Sequence, residues 1–201
     1  MGEALADIGV STLLFDFAGC GESEGRWDNI SLSSQTDDLK YVIRWCRSKG
    51  YQKIFLNGRS FGGSTVLSYA ARDPRITAVS TWAAVARPAE LFEKFLTDEL
   101  SGTADDLVTI KGEETLHLKK NFFYDLRNHD LLQCAAALAP RSYLVIHGSA
   151  DRSVPVKEAF LLYKAAEEPK KLEIVEGADH RFSGHMAQVW EVFFQWLKTL
   201  K

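Results

Sequence analysis

The sequence predicts an α/β fold built on a mostly parallel sheet, with helices on both faces. Three observations carry that expectation. Short apolar runs recur along the chain, and most are near-continuous rather than alternating, as in parallel strands covered on both faces. Between them, apolar residues fall at helical spacing. The chain has 201 residues, 46% hydrophobic and 25% charged, which suits one globular domain with a sizeable core.

Taken in order, the strand candidates are residues 10–17 (VSTLLFDF), 53–57 (KIFLN), 76–83 (ITAVSTWA), 142–147 (SYLVIH) and 171–175 (KLEIV). Leu39, Val42, Ile43 and Cys46 share one face of a first helix, and Val66, Leu67, Ala70 and Ala71 share one face of a second. Val189, Val192, Phe193, Trp196 and Leu197 do the same in the last. Strand and helix therefore alternate, which is the signature of the class. The alternation breaks between about residues 87 and 140. There a helical piece at residues 89–100 is followed by a hairpin over residues 109–118, turning at Lys111 and Gly112, and by a second helical piece at residues 129–138. We expect a single domain over residues 1–201, with this stretch as a small lid insertion over one end of the sheet.

Composition narrows the function classes. A net charge of −3, from 24 basic and 27 acidic residues, gives no field to attract nucleic acid, and no basic cluster does so locally. Cys20, Cys46 and Cys134 match neither a metal-ligand spacing nor a disulfide framework. The opening residues carry acids and lack a basic start, so no secretory leader is expected. No apolar run approaches the roughly 18–20 residues that span a bilayer. These features lead us to expect a cytoplasmic protein with no membrane span.

The sharpest chemical signal is Gly58-Arg59-Ser60-Phe61-Gly62, followed by Gly63. It lies directly after the run KIFLN and directly before a helical stretch. In that setting GxSxG marks a strand that turns abruptly into a helix and presents a serine. Glycines two residues before and after are expected because neighbouring Cβ atoms would collide in so tight a turn. The helix N-terminus offers free N–H groups to a developing oxyanion. A packing turn is the plain alternative.

A serine needs a base, and the base needs an orienting acid. Asp151 follows the run SYLVIH, and His180 follows KLEIV. Both fall at C-terminal strand ends, the edge where open α/β sheets place their sites. Their plain alternatives are a helix-capping aspartate and a solvent-facing histidine. Among competitors, His185 reads as part of the last helix and His147 as packed beside the acid loop. His117 and His129 fall in the insertion, as structural or substrate-contacting residues. Asp16 reads as ordering its loop, and Trp82 as a core residue.

Together these segments resemble a known family. The stretch from Phe15 to Ser23 (FDFAGCGES) resembles the D-x-x-G-x-G-x-S loop of α/β-hydrolases. GRSFGG, HGSADRSVP and GADHRF follow in the family's order. The sequence looks most similar to bacterial carboxylesterases of the cinnamoyl or feruloyl esterase type. That resemblance implies an α/β-hydrolase-like sheet and a serine hydrolase acting on a small-molecule ester, with Ser60, Asp151 and His180 as its triad. Phe61 N–H would supply one oxyanion donor, and no metal or organic cofactor is called for. The same triad could serve thioester or aminoacyl-peptide substrates.

The N-terminus departs from the family. The opening MGEALADIG looks like the tail of a helix, and the strand and His-Gly-type loop that precede that helix in the family are not in this sequence. That strand is central in the family sheet, and its loop usually gives the second oxyanion donor. Either residues 10–17 pair directly with the nucleophile strand, or the chain is a piece of a longer protein. A missing oxyanion donor costs about 2.7–4 kcal/mol of transition-state stabilisation, so a non-catalytic, N-terminally short protein is the rival expectation. Unpaired strand edges also make a homodimer an expectation.

Overall fold

Four of the five apolar runs become strands, because each finds a parallel neighbour. The structure is a computed structural model and describes residues 2–94, 107–111 and 115–200. The first half contains α1 (Gly2–Ala6), α2 (Leu32–Ser48), β1 (Phe55–Arg59), α3 (Phe61–Arg72), β2 (Ala78–Trp82) and α4 (Pro88–Glu93). Then come β3 (Leu107–Lys111), β4 (Thr115–Lys119), α5 (Lys120–Leu126) and α6 (Leu131–Ala136). The chain closes with β5 (Ser142–Gly148), α7 (Lys157–Ala165), β6 (Lys170–Val175) and α8 (Met186–Lys198). The main sheet has the order β1-β2-β5-β6, and every pairing in it is parallel.

Parallel strands need crossover connections, which is why helices intervene. Successive residues of the strands feed two separate apolar layers. On one side Leu56, Val79, Tyr143 and Val145 pack with residues of α2, α3, α6 and α7. On the other, Ala78, Leu144, Ile146 and Val175 pack with α8 and with Leu5 of α1. The last helix presents Val189, Val192, Phe193, Trp196 and Leu197, the stripe read from the sequence, all of them buried. Among the described residues no helix is long and apolar enough to cross a membrane.

Residues 10–17 differ from expectation and form no strand. The direct pairing with β1, one of the two alternatives, is not made, and β1 stands at one edge of the sheet. The segment is held at its two ends instead. Val10 N–H donates to Leu5 O at 2.9 Å, and Ala18 N–H to Asp38 Oδ2 on α2 at 2.9 Å. Between these anchors Leu14 is 78% exposed. Apolar content measures what a segment could bury, whereas a strand also needs a partner edge.

Between β2 and β5 the chain forms α4, the antiparallel β3–β4 pair, α5 and α6. The expected helix at 89–100 is seen as α4, and residues 95–100 lie outside the described residues. The hairpin register, Leu107 opposite Lys119 and Lys111 opposite Thr115, agrees with the expected hairpin. Its turn, with Gly112, also lies outside the described residues. The helix α5 was not anticipated.

Asp125 of α5 ties this segment to the sheet's helical layer. Its Oδ2 accepts Ser33 N–H in the first turn of α2 at 3.0 Å, and lies 3.4 Å from Nε2 of the buried His129. A carboxylate there also favours the positive end of α2. Burial alone would raise the Asp125 carboxyl, but His129 and Ser33 pull it down to about 2. The folded value lies below the unfolded one of about 3.9. The stabilisation is therefore complete above that unfolded value and is lost as pH falls toward 2. Asp125→Asn is expected to cost about 1–2 kcal/mol at pH 7. Urea unfolding at several pH values should show its deficit against the parent closing between about pH 4 and pH 2.

Candidate active site

The chain turns from β1 into α3 at one residue, Ser60, which takes φ 54 and ψ −127. A side chain at positive φ outside the usual wells costs about 1–3 kcal/mol, so the surroundings must impose it. Ser60 N–H donates to Trp82 O at 2.8 Å, continuing the ladder between β1 and β2 by one residue. Ser60 O accepts Gly63 N–H at 3.0 Å and Ser64 N–H at 3.3 Å, which starts the helix. The backbones approach very closely. A Cβ on Gly58 would lie 2.3 Å from Gly62 O, and one on Gly63 would lie 2.7 Å from Ala84 Cβ. A Cβ on Gly62 would meet nothing within 4 Å. The crowding falls on Gly58 and Gly63, not on the second glycine of the GxSxG pattern. Phe61 opens α3, so its N–H has no partner inside the helix.

Two other loops meet this turn. The loop after β5 carries Asp151 and the loop after β6 carries His180, and they are fastened to each other. Ser149 N–H donates to Val175 O at 3.0 Å, Ala150 N–H to Ala178 O at 3.0 Å, and Gly177 N–H to Ser149 Oγ at 2.8 Å. Gly148 permits the contact, since a Cβ there would lie 2.2 Å from Ala178 O. The three sequence-predicted side chains come together in one hydrogen-bonded line. His180 Nδ1 is 2.7 Å from Asp151 Oδ2, and His180 Nε2 is 3.0 Å from Ser60 Oγ.

A carboxylate only accepts, so Nδ1 carries the proton and Nε2 is left to accept from the Ser60 hydroxyl. The Asp151 side chain is fully buried, and its Oδ1 accepts Ser153 N–H at 2.9 Å and Val154 N–H at 2.8 Å. Burial alone would raise its carboxyl, but His147, His180 and Val154 N–H hold it well below the usual carboxylate range. The His180 side chain is 17% exposed. The arrangement can draw a proton from a serine hydroxyl while an ionised carboxylate steadies the imidazolium.

The competing residues sit elsewhere in the network. His185 is the half-buried residue at the N-cap position of α8, with Nδ1 2.8 Å from Ser183 O. His117 lies on β4 against Thr109 Oγ1 at 3.2 Å. His129 is buried between α5, Ser33 and Ser68. Asp16 orders its loop by accepting Glu22 N–H at 3.1 Å, while its carbonyl accepts the Ser23 hydroxyl at 2.7 Å. Trp82 is buried, donates to Ser80 Oγ at 2.9 Å and packs edge-on against Phe182, Trp190 and Phe193. Among the described residues no cluster of His, Cys, Asp and Glu is arranged to hold a metal ion.

Two features were not read from the sequence. Phe61, which follows Ser60 in the chain, forms a cluster with Phe92 of α4 and Phe122 of α5, with ring centroids 5.1–5.8 Å apart. Glu158 of α7 is buried and accepts Ala86 N–H at 3.1 Å and Arg87 N–H at 2.9 Å. It fixes the point where the chain leaves β2 for α4. In the sequence Glu158 has the look of an ordinary helix-surface glutamate, and the three rings come from separate segments.

Known proteins share this architecture. Residues 1–98 match the family model described as the alpha/beta hydrolase fold. The uncharacterized protein YfhR of Escherichia coli is 27% identical over 184 residues, covering 88% of this chain and 55% of that protein. The chain thus spans little more than half the length of this curated relative. Among solved structures, Est1E of Butyrivibrio proteoclasticus, determined with ferulic acid bound, superposes with a TM-score of 0.86 at 22% identity. That match covers 99% of this chain and 80% of Est1E. The esterase domain of a Rhodothermus marinus protein is 28% identical at a TM-score of 0.66, covering 80% of this chain and 67% of the domain. The chain has the alpha/beta hydrolase fold.

The crowding at the turn gives a direct test. Gly58→Ala places its methyl against backbone that cannot yield, and should cost at least about 1–3 kcal/mol in urea unfolding. Gly62→Ala enters open space inside a helix and should be neutral or stabilising by up to about 1 kcal/mol.

Proposed function

We propose that this α/β-hydrolase chain is a serine hydrolase that cleaves carboxylic esters through an acyl-enzyme. The observation that carries the reading is the continuous line from Asp151 Oδ2 through His180 to Ser60 Oγ, with contacts of 2.7 and 3.0 Å. Ser60 is the nucleophile, His180 the general base and Asp151 the acid. As Ser60 Oγ attacks the ester carbonyl, His180 Nε2 takes its proton, and the Asp151 carboxylate stabilises the imidazolium. Phe61 N–H, at the positive end of α3, donates to the oxyanion. The imidazolium then protonates the departing alkoxide, leaving an acyl group on Ser60. A water deprotonated by the same imidazole attacks that ester and releases the acid. No step calls for a metal or an organic cofactor.

The segment between β2 and β5 acts as the lid, and the partly exposed rings of Phe61 and Phe92, backed by the buried Phe122, favour an apolar or aromatic acyl group. Ferulate bound to Est1E, a neighbour in fold, agrees with that preference.

The first test is labelling of the purified chain by a fluorophosphonate probe, read by intact mass. Labelling that vanishes in Ser60→Ala is expected, whereas an unlabelled but folded parent would overturn the assignment. With an ester that turns over, Ser60→Ala and His180→Ala should each lower kcat by roughly 10³-fold or more. His185→Ala should stay within a few-fold, and the reverse ranking of the two histidines would reject His180 as the base. Ester, thioester and aminoacyl-anilide substrates compared side by side identify the bond that is cut.

A further inference from the structure

The geometry points to His147 as a positioning residue for the Asp151 carboxylate, clamping the acid loop with a single shared proton. The proposal rests on the reading of Ser60, His180 and Asp151 as a triad. His147 lies on β5, four residues before Asp151, and is completely buried. Its Nε2 is 2.9 Å from Val154 O and 3.3 Å from Asp151 Oδ2. Both partners are acceptors only, so Nε2 carries the hydrogen and divides it between them, the nearer share going to the carbonyl. Nδ1 has no partner among the described residues. A proton placed there would be a buried donor with nothing to bond, which favours the hydrogen on Nε2.

The consequences follow around one small ring of contacts. Val154 N–H donates to Asp151 Oδ1 while Val154 O accepts from His147. Fixing Val154 therefore fixes the donor to one carboxylate oxygen. The longer arm of the same N–H reaches the other oxygen, the one that faces His180. His147 thus limits rotation of the carboxylate about its Cβ–Cγ bond without touching substrate or Ser60. It also withdraws part of the negative charge that Asp151 would otherwise present to His180.

The titratable groups around Asp151 are few. His147 comes from β5, while His180 and Asp179 come from the loop after β6. Asp179 is occupied by the N–H groups of Arg181 and Ser183. Arg152 and Arg181 face solvent. Glu158 on α7 is committed to Ala86 and Arg87.

Two amides separate the clamp from simple packing. The side-chain nitrogen of glutamine has the reach of imidazole Nε2, and that of asparagine the reach of Nδ1. His147→Gln keeps a donor for Val154 and Asp151, whereas His147→Asn removes it at similar polarity. Ester hydrolysis by the full chain is measured across pH for both. His147→Gln should keep kcat within about 3-fold, with the acid limb of kcat/KM in place, while His147→Asn should lower kcat roughly 10-fold with KM little changed. The acid limb of His147→Asn should also move to higher pH, because a carboxylate with fewer donors holds the imidazolium more tightly. Identical profiles for the two variants would overturn the proposal.

Should either variant fail to fold, nitrogen-15 NMR of the parent decides. An Nε2–H tautomer at residue 147 supports the clamp. An Nδ1–H tautomer there rejects it. This measurement needs no turnover, so it stands apart from the fluorophosphonate result, whose failure would count against the triad.

Discussion

The turn at Ser60 needs its neighbours more than any other point in the chain. A side chain at φ 54 is unfavourable in isolation, and nothing in the GRSFGG segment by itself would keep it there. It persists because Ser60 N–H is captured by Trp82 O, so the β1–β2 ladder runs one residue past the strand. It also persists because Gly58 and Gly63 let the helix start almost in contact with β1 and with Ala84. Trp82 is in turn seated in the apolar layer under α8, among Phe182, Trp190 and Phe193. The position of one hydroxyl is therefore secured by the core on the far side of the sheet.

The same economy governs the other two loops. In a parallel sheet all strands end on the same edge, so the loops after β5 and β6 emerge side by side. Backbone bonds between Ser149 and Val175 and between Ala150 and Ala178 make them nearly one rigid unit. Asp151 is buried and stays ionised because every one of its acceptor directions meets a donor. A buried carboxylate short of donors would take up a proton instead. It would then lose its hold on the imidazole.

The segment between β2 and β5 is held to the rest of the fold through side chains rather than through the main sheet. Glu158 fixes its departure, Asp125 and His129 tie α5 to α2 and α3, and Phe92 and Phe122 bring its apolar face to Phe61. These contacts join residues that are distant in the chain. On the other flank β1 remains an edge and residues 10–17 lie unpaired.

Much of this was legible in the sequence. Apolar runs and helical stripes determined the alternation of strands and helices, since burial on two faces leaves a periodic record. The order of Ser60, Asp151 and His180, each just past an apolar run, indicated where the loops would gather, because parallel strands share one polarity. Local pattern overstated residues 10–17, since a strand is defined by a partner edge that composition does not encode. It placed the tight approach on Gly58, where it is found, but also on Gly62 rather than on Gly63, which is pressed by Ala84, a residue from another strand's end. The distances from Asp151 through His180 to Ser60, the clamp from His147 and the buried roles of Glu158 and Asp125 belong to tertiary structure alone. Each depends on where several separate segments come to rest together, and hydrogen bonds act over about 3 Å of space irrespective of separation along the chain.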